Sequence, residues 1–123
     1  MASVLVVDDD AGTREALGAV IDMLGHQCVS AANGQHALRQ AQLSPPDLLI
    51  TDLHMPLMDG FELLQAIRND PVLAAIPALI YSGTVDAEAE RRAVTCGVRQ
   101  VFSKPGNPRL LVQAIREALA GGA

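Results

Sequence analysis

Aromatic residues are almost missing from this sequence of 123 residues, which contains no Trp, one Tyr and two Phe. Ala, Leu and Val must therefore build most of the hydrophobic core. Half of the residues are hydrophobic and 19% are charged, a balance typical of compact globular proteins rather than disordered or fibrous ones. The length fits one domain, which we expect to occupy the whole chain with its core at about residues 3–120.

Clusters of positive charge are also missing. Nine Lys and Arg residues are outnumbered by fourteen Asp and Glu residues, and the formal net charge is −5. Direct binding of nucleic acid needs a group of Lys or Arg side chains that contact phosphates, so this composition argues against it. The acidic excess suits the binding of a cation instead.

Cysteines and long hydrophobic runs are equally scarce. Cys28 and Cys96 are far apart and match no metal-ligand spacing, so we expect reduced, partly buried thiols. The opening sequence MASVLVV has no basic region, and its apolar run is too short for a signal peptide or a membrane span. We therefore expect a cytoplasmic protein that does not contact a membrane.

Short apolar runs alternate with helical patterns along the chain. The runs are VLVV at 4–7, CVSAA at 28–32, DLLIT at 47–51, ALIYS at 78–82 and QVFS at 100–103. This alternation predicts a parallel sheet with helices on both faces, because each right-handed crossover needs a helix. The first, third and fourth strands should be central, since their nearly continuous apolar character fits burial on both faces.

Turn and capping residues mark the ends of the predicted helices. Asp59 stands three residues before Glu62, the spacing of a capping box. Gly25 and Gly97 predict the ends of the first and fourth helices, and the fifth helix should follow Pro108.

Polar side chains stand at the carboxyl ends of four predicted strands. The first strand leads into Asp8 and Asp9, the third into Asp52, and the fifth into Lys104, while Ser82 ends the fourth. These ends share one edge of a parallel sheet, where ligands bind. Three carboxylates there repel each other unless a cation neutralises them, and oxygen ligands at that density select Mg²⁺ or Mn²⁺.

Asp52 is the candidate nucleophile because it stands alone after an apolar run, whereas Asp8 and Asp9 are paired and better placed to hold the ion. With a metal and an ammonium group neutralising charge and a hydroxyl donating a hydrogen bond, such a carboxylate has the equipment to attack a phosphoryl group. Asp10 is interpreted as a turn or helix-capping residue outside this chemistry.

The stretch DLLITDLHMPLMDGFELL at 47–64 resembles the receiver domains of two-component response regulators, the CheY-like family, and the resemblance runs from Val4 to about Leu119. It implies a flavodoxin-like, doubly wound (βα)5 fold with five parallel strands in the order 2-1-3-4-5. It also implies that Asp52 accepts phosphate from a phosphohistidine of a sensor histidine kinase or histidine phosphotransfer protein. Phosphorylation would change binding to a downstream effector or fused output domain. Such a protein is not a turnover enzyme, because it catalyses only its own phosphorylation and dephosphorylation.

The same resemblance implies a role for each residue of the site. Asp9 and Asp52 would ligate Mg²⁺ directly with the backbone carbonyl of His54, and Asp8 would act mainly through metal-bound water. Ser82 and Lys104 would contact the phosphoryl group.

Residues in the surrounding loops also match the family. Pro56 would shape the loop after the phosphoacceptor, and Pro105 would follow the lysine through a cis peptide bond. His54 and Thr84 occupy positions that set the lifetime of the aspartyl phosphate.

Two positions depart from the family pattern. Val101 stands three residues before Lys104, where the family usually has Tyr or Phe, and Phe102 comes one residue later, on the other side of the strand. Gly106 replaces the apolar residue that many receivers have after the Lys-Pro pair. A receiver-like interaction domain with weak or lost phospho-switching therefore stays an alternative.

Two other functions fit the sequence less well. A Mg²⁺-dependent phosphohydrolase normally needs a second Asp two residues after the nucleophile, where this chain has His54, and a cap domain. A flavin-binding module would need hydroxyl and glycine donors after the first strand, where three aspartates would repel its phosphate.

Assembly and context are left open by the sequence. The ending ALAGGA fits a single-domain regulator and a receiver cut from a larger protein equally well. A homodimer through the face of the fourth helix, fifth strand and fifth helix is also compatible with the charges there.

Overall fold

The computed structural model describes residues 1–121, in which five strands alternate with five helices. The strands are β1 (Ser3–Val7), β2 (Gln27–Ala31), β3 (Leu48–Thr51), β4 (Ala78–Ser82) and β5 (Gln100–Ser103). The helices are α1 (Ala11–Met23), α2 (Gly34–Leu43), α3 (Gly60–Asn69), α4 (Ala87–Thr95) and α5 (Pro108–Gly121). Gly122 and Ala123, the end of the ALAGGA segment, lie outside the described residues.

The strands form one parallel sheet in the order β2-β1-β3-β4-β5. The predicted doubly wound fold is confirmed, including the central place of β1, β3 and β4. Every residue of β3 is buried, whereas the edge strands β2 and β5 are partly exposed. In this order β2 lies on one side of β1 and β3 on the other, so the connections change direction between β1 and β3. Such sheets bind ligands at this point, beyond the carboxyl ends of the strands.

Successive residues of the central strands face two separate hydrophobic clusters, as period-two side-chain alternation requires. One cluster joins the sheet to α1 and α5 through Leu17, Ile21, Leu111, Ala114, Ile115 and Ala118. The other joins it to α2, α3 and α4 through Ala37, Ala41, Phe61, Leu64, Ile67, Ala89 and Ala93. The prediction of helices on both faces of the sheet is thus confirmed, with a core that is rich in Leu, Ile, Val and Ala.

Side-chain caps fix where the helices begin. The amide of Glu62 donates to Asp59 Oδ1 at 2.8 Å, and the amide of Asp59 donates to Glu62 Oε1 at 3.1 Å, so the predicted capping box is present. Asp10 caps α1 by accepting from the amide of Thr13 at 2.9 Å, which confirms its interpretation as a capping residue.

Small differences from the sequence prediction occur at element ends, where hydrogen bonding of the last turn decides the boundary. Strand β2 spans Gln27–Ala31, one residue earlier than predicted. Helix α1 ends at Met23, and Gly25 follows in the left-handed region with a φ of 84°. Gly97 has a φ of 70° just after α4, so both glycines terminate their helices as expected.

Among the described residues, no helix has the length and apolar character needed to cross a membrane. Cys28 and Cys96 are free and partly buried, as predicted.

Candidate functional site

The carboxyl ends of β1 and β3 and the start of the loop after β5 bring charged side chains together at one edge of the sheet. Carboxylate oxygens of Asp8, Asp9 and Asp52 lie within 4.8 Å of one another. The Nζ atom of Lys104 lies 2.5 Å from Asp8 Oδ2 and 3.4 Å from Asp52 Oδ2. Four of the predicted site residues therefore form one cluster, although most of the chain separates Lys104 from Asp8 and Asp9 in the sequence.

Asp8 carries its charge in a buried position. Its side chain is paired with Lys104, its Oδ1 accepts from the amide of Asp10 at 2.9 Å, and the residue is only 2% exposed. Burial raises the pKa of the Asp8 carboxyl, and the two hydrogen bonds only partly oppose this effect. Because one ammonium group faces three carboxylates, the cluster carries an excess of negative charge.

The pKa of Lys104 is also raised, but for a different reason. Burial by itself lowers the pKa of its ammonium group, but the hydrogen bond to Asp8 and the negative charges of Asp52 and Asp8 outweigh burial and raise the pKa overall. The ammonium group therefore stays protonated beside the carboxylates over the neutral range.

Asp52 is held by the backbone that follows it. Its Oδ1 accepts from the amide of Leu53 at 2.7 Å and from the amide of His54 at 3.4 Å, and the residue is 7% exposed. Its Oδ2 faces Lys104, and the hydroxyl of Thr51 donates to its carbonyl oxygen at 2.8 Å. One carboxylate oxygen is thus fixed by amides, while the other is next to the ammonium group.

Two residues that the sequence reasoning missed help to shape this cluster. The amide of Gly60 donates to the carbonyl of Leu53 at 3.0 Å, and a Cβ atom at Gly60 would lie 2.2 Å from the carbonyl oxygen of Asp52. The guanidinium of Arg14 donates to the carbonyl of Asp8 at 2.7 Å. The glycine directly after the capping Asp59 was a signal for the first contact, whereas the sequence carried none for the second.

Ser82 ends β4, beside the strand that leads into Asp52. Its residue exposure is 0%, and its Oγ has no hydrogen-bond partner within residues 1–121. A buried hydroxyl without a partner is costly in a folded protein. It is a donor that can be satisfied by a polar group entering the site.

The remaining predicted residues lie in the loops around this cluster. His54 and Thr84 are exposed and line one cleft of about 200 Å³ together with Asp86 and Arg92. Pro56 is exposed in the loop between β3 and α3, and the peptide bond between Lys104 and Pro105 is cis. The amide of His54 donates to Asp52 Oδ1. The predicted contact of its carbonyl oxygen with a metal stays a prediction.

The donor set of the cluster fits a hard divalent cation. Carboxylate oxygens, without a thiol or imidazole among them, are the ligands preferred by Mg²⁺ and also accepted by Mn²⁺. The uncompensated negative charge around the buried Asp8 would favour such an ion further.

Residues 4–116 match the family described as the response regulator receiver domain. The chain belongs to this family. Members of the family take part in two-component signalling, interact with histidine kinases and output domains, and generally bind Mg²⁺ at an acidic pocket. The resemblance of the stretch at 47–64 is thereby confirmed over nearly the whole chain.

Relatives of this receiver domain differ greatly in length. Protein PilH of Pseudomonas aeruginosa is 32% identical over 122 residues, which cover 98% of this chain and 100% of that protein. The gliding motility regulatory protein of Myxococcus xanthus is 37% identical over 94 residues, which cover 76% of this chain but 12% of that protein. The domain therefore occurs as the whole of a small protein and as a small part of a long one.

A solved structure shows the same architecture. The chemotaxis protein CheY4 of Vibrio cholerae superposes with a TM-score of 0.90 at 31% sequence identity, covering 97% of this chain and 99% of that one.

Proposed function

We propose that this receiver domain is a phosphorylation switch in a two-component phosphorelay. Asp52 accepts a phosphoryl group from a phosphohistidine of a histidine kinase or histidine phosphotransfer protein, with Mg²⁺ bound by Asp8, Asp9 and Asp52. The modified domain then changes its binding to a downstream effector or a fused output domain. The chain acts only on itself and does not turn over a separate substrate.

The observation that carries this proposal is the surroundings of Asp52 Oδ2. This oxygen lies 3.4 Å from the Lys104 ammonium group, within a cluster of carboxylates that fits Mg²⁺. A carboxylate in this place is supplied with positive charge, which phosphoryl transfer requires because negative charge develops on the transferring oxygens.

Asp52 and Lys104 have different parts in the transfer. The amides of Leu53 and His54 hold Oδ1 of Asp52, so that Oδ2 is the oxygen directed at an incoming phosphorus atom. As the bond between oxygen and phosphorus forms, the bond between phosphorus and the donor imidazole nitrogen breaks, and its electron pair stays on that nitrogen. Lys104 balances negative charge on the phosphoryl oxygens, to which a bound Mg²⁺ adds further positive charge.

The unpaired hydroxyl of Ser82 supplies the link to signalling. Once a phosphoryl group is present, its oxygens offer the partner that Ser82 Oγ lacks. Moving the hydroxyl toward that group gives the phosphorylated state a contact that the unmodified state does not have, which is the requirement for a population shift.

Intact mass spectrometry after incubation with Mg²⁺ and acetyl phosphate tests the proposal. We expect one added phosphoryl group on the native chain and none on Asp52→Asn. The matched control is Asp22→Asn, an exposed carboxylate of α1, which should be labelled like the native chain. Absence of label on the native chain, or label that survives Asp52→Asn, would contradict the proposal.

A receiver-like interaction domain with lost switching is the second candidate, because Val101 leaves the α2–α4 side of β5 without an aromatic ring. Partner binding measured before and after phosphorylation separates the two functions. A switch changes its affinity for the partner, whereas an interaction domain binds equally well in both states.

A further inference from the structure

Two of the three aromatic side chains, Tyr81 and Phe102, lie on the α1 and α5 side of the sheet. Val101 pairs with Ile80 and packs toward α2, α3 and α4, whereas Phe102 pairs with Tyr81 and both rings pack toward α1 and α5. Tyr81 directly precedes Ser82 in β4. A ring is therefore one residue away from the unpaired hydroxyl, but on the face opposite to Val101.

Tyr81 contacts both ends of the turn that follows β5. The Lys104 ammonium group lies 5.7 Å from the centroid of its ring, inside the range of a cation–π interaction. The hydroxyl oxygen of Tyr81 accepts from the amide of Gly106 at 3.3 Å. The ring thus joins the ammonium group of the site to the backbone two residues further along.

Gly106 lies directly against the tyrosine ring. A Cβ atom at Gly106 would lie 3.0 Å from Cε1 of Tyr81, so a side chain there would require the ring to shift by a few tenths of an ångström. The backbone at Gly106 and the ring of Tyr81 are therefore in close contact.

The ring also has room to move. Tyr81 is only half-buried and lines a cleft of about 330 Å³ between α1 and α5, with Val20, Gly106 and Leu111 among the other walls. A displacement of the turn at 104–106 can therefore reach a solvent-accessible surface between α1 and α5.

We propose that Tyr81 is a positioning residue for Lys104 and the aromatic group through which the state of Asp52 reaches the α1 and α5 side of the domain. The inference rests on the proposed phosphorylation of Asp52. A phosphoryl group on Asp52 adds negative charge beside the ammonium group, which draws Lys104 toward it. The ring then shifts with the turn, because it contacts the Lys104 ammonium group and its hydroxyl accepts from the Gly106 amide.

The composition of the chain offers a direct readout. Tyr81 is the one tyrosine and the chain contains no Trp, so tyrosine fluorescence reports on this ring alone. During incubation with Mg²⁺ and acetyl phosphate, we expect the emission intensity to change in proportion to the phosphorylated fraction measured by intact mass. Asp52→Asn should show neither added mass nor a change in emission.

Variants test the positioning role. Tyr81→Leu removes the ring and the hydroxyl, and we expect phosphorylation to slow by about 3- to 10-fold, the loss of one weak cation–π contact and one hydrogen bond. Tyr81→Phe keeps the ring over Lys104 and should recover part of that rate. Phe102→Leu is the matched control, since it removes a neighbouring ring of the same cluster and should leave the rate unchanged.

The outcomes separate this inference from the proposed function. Full phosphorylation with constant Tyr81 emission, or equal rates for Tyr81→Leu and Phe102→Leu, overturns the role of Tyr81 and leaves the proposed function intact. An emission change in Asp52→Asn overturns it too, because the ring would then respond to ions alone. A native chain that gains no phosphoryl group overturns both.

Discussion

Leu57 has a backbone conformation that leucine rarely adopts. Its φ is 71°, in a tight turn where the amide of Met58 donates to the carbonyl of Pro56 at 2.8 Å, and the residue is 74% exposed. The bond from Met58 to Pro56 closes a γ-turn, whose central residue is strained at positive φ by roughly 1–3 kcal/mol. Asparagine tolerates a positive φ better than leucine does. We expect Leu57→Asn to stabilise the domain by about 0.5–1 kcal/mol and to raise the midpoint of thermal unfolding by about 2–4 °C.

The control for this prediction is a leucine of similar exposure with ordinary backbone angles. Leu43 ends α2 and is 78% exposed. Leu43→Asn removes an exposed apolar side chain without relieving strain, so its unfolding midpoint should stay level or fall slightly. A rise as large as that of Leu57→Asn would mean that exposure, and not the backbone, sets the stability at position 57.

Arg68 ties together the carboxyl-terminal ends of two helices. From the last turn of α3 its guanidinium donates to the carbonyls of Cys96 at 2.8 Å and Gly97 at 3.3 Å, which follow α4. It also donates to Ala74 at 3.1 Å and Ile76 at 2.5 Å in the segment before β4. This one side chain therefore satisfies carbonyls that the ends of helices leave without partners.

Removing this guanidinium should destabilise the α3 and α4 side of the domain. We expect Arg68→Met to lower the free energy of unfolding in urea by about 2–4 kcal/mol, because several partly buried carbonyls lose charged donors at once. Arg68→Lys should recover little, since an ammonium group cannot reproduce the planar fork. Arg39→Met, at an exposed position of α2, should change the stability by less than about 0.5 kcal/mol. Equal effects at the two positions would rule out the bridging role.

Interactions between residues close in the sequence could be predicted, whereas most contacts between distant residues could not. The capping box at Asp59 and the helix ends at Gly25 and Gly97 depend on residues within one turn, so the sequence predicts them. The convergence of the polar strand ends follows from one topological rule about parallel sheets. The contacts of Arg68 with Cys96 and of Tyr81 with Gly106 join residues far apart in the chain, and no local pattern specifies them.

Folding of the whole chain assembles the carboxylates of β1 and β3 into one site, which does not exist in the unfolded chain. The three carboxylates lie within 4.8 Å of one another and face one ammonium group. A cation that binds this folded arrangement alone must stabilise the entire domain, by about 2.7 kcal/mol when its concentration is a hundred times its Kd. The metal-dependent change in unfolding midpoint is therefore a measure of the site that needs no phosphodonor.

Replacing neighbouring carboxylates separates site binding from general screening of the net charge of −5. Asp9→Asn and Asp10→Asn each remove one negative charge, but Asp9 belongs to the cluster, whereas Asp10 caps α1 and asparagine can accept the same bond from Thr13. We expect saturating MgCl₂ to raise the unfolding midpoint of the native chain and of Asp10→Asn by roughly 8 °C relative to NaCl of equal ionic strength. Asp9→Asn should lose most of that rise, although its midpoint without Mg²⁺ should not fall, because one repulsive charge is gone. Equal loss in both variants would mean that the ion binds to the acidic surface rather than to the cluster.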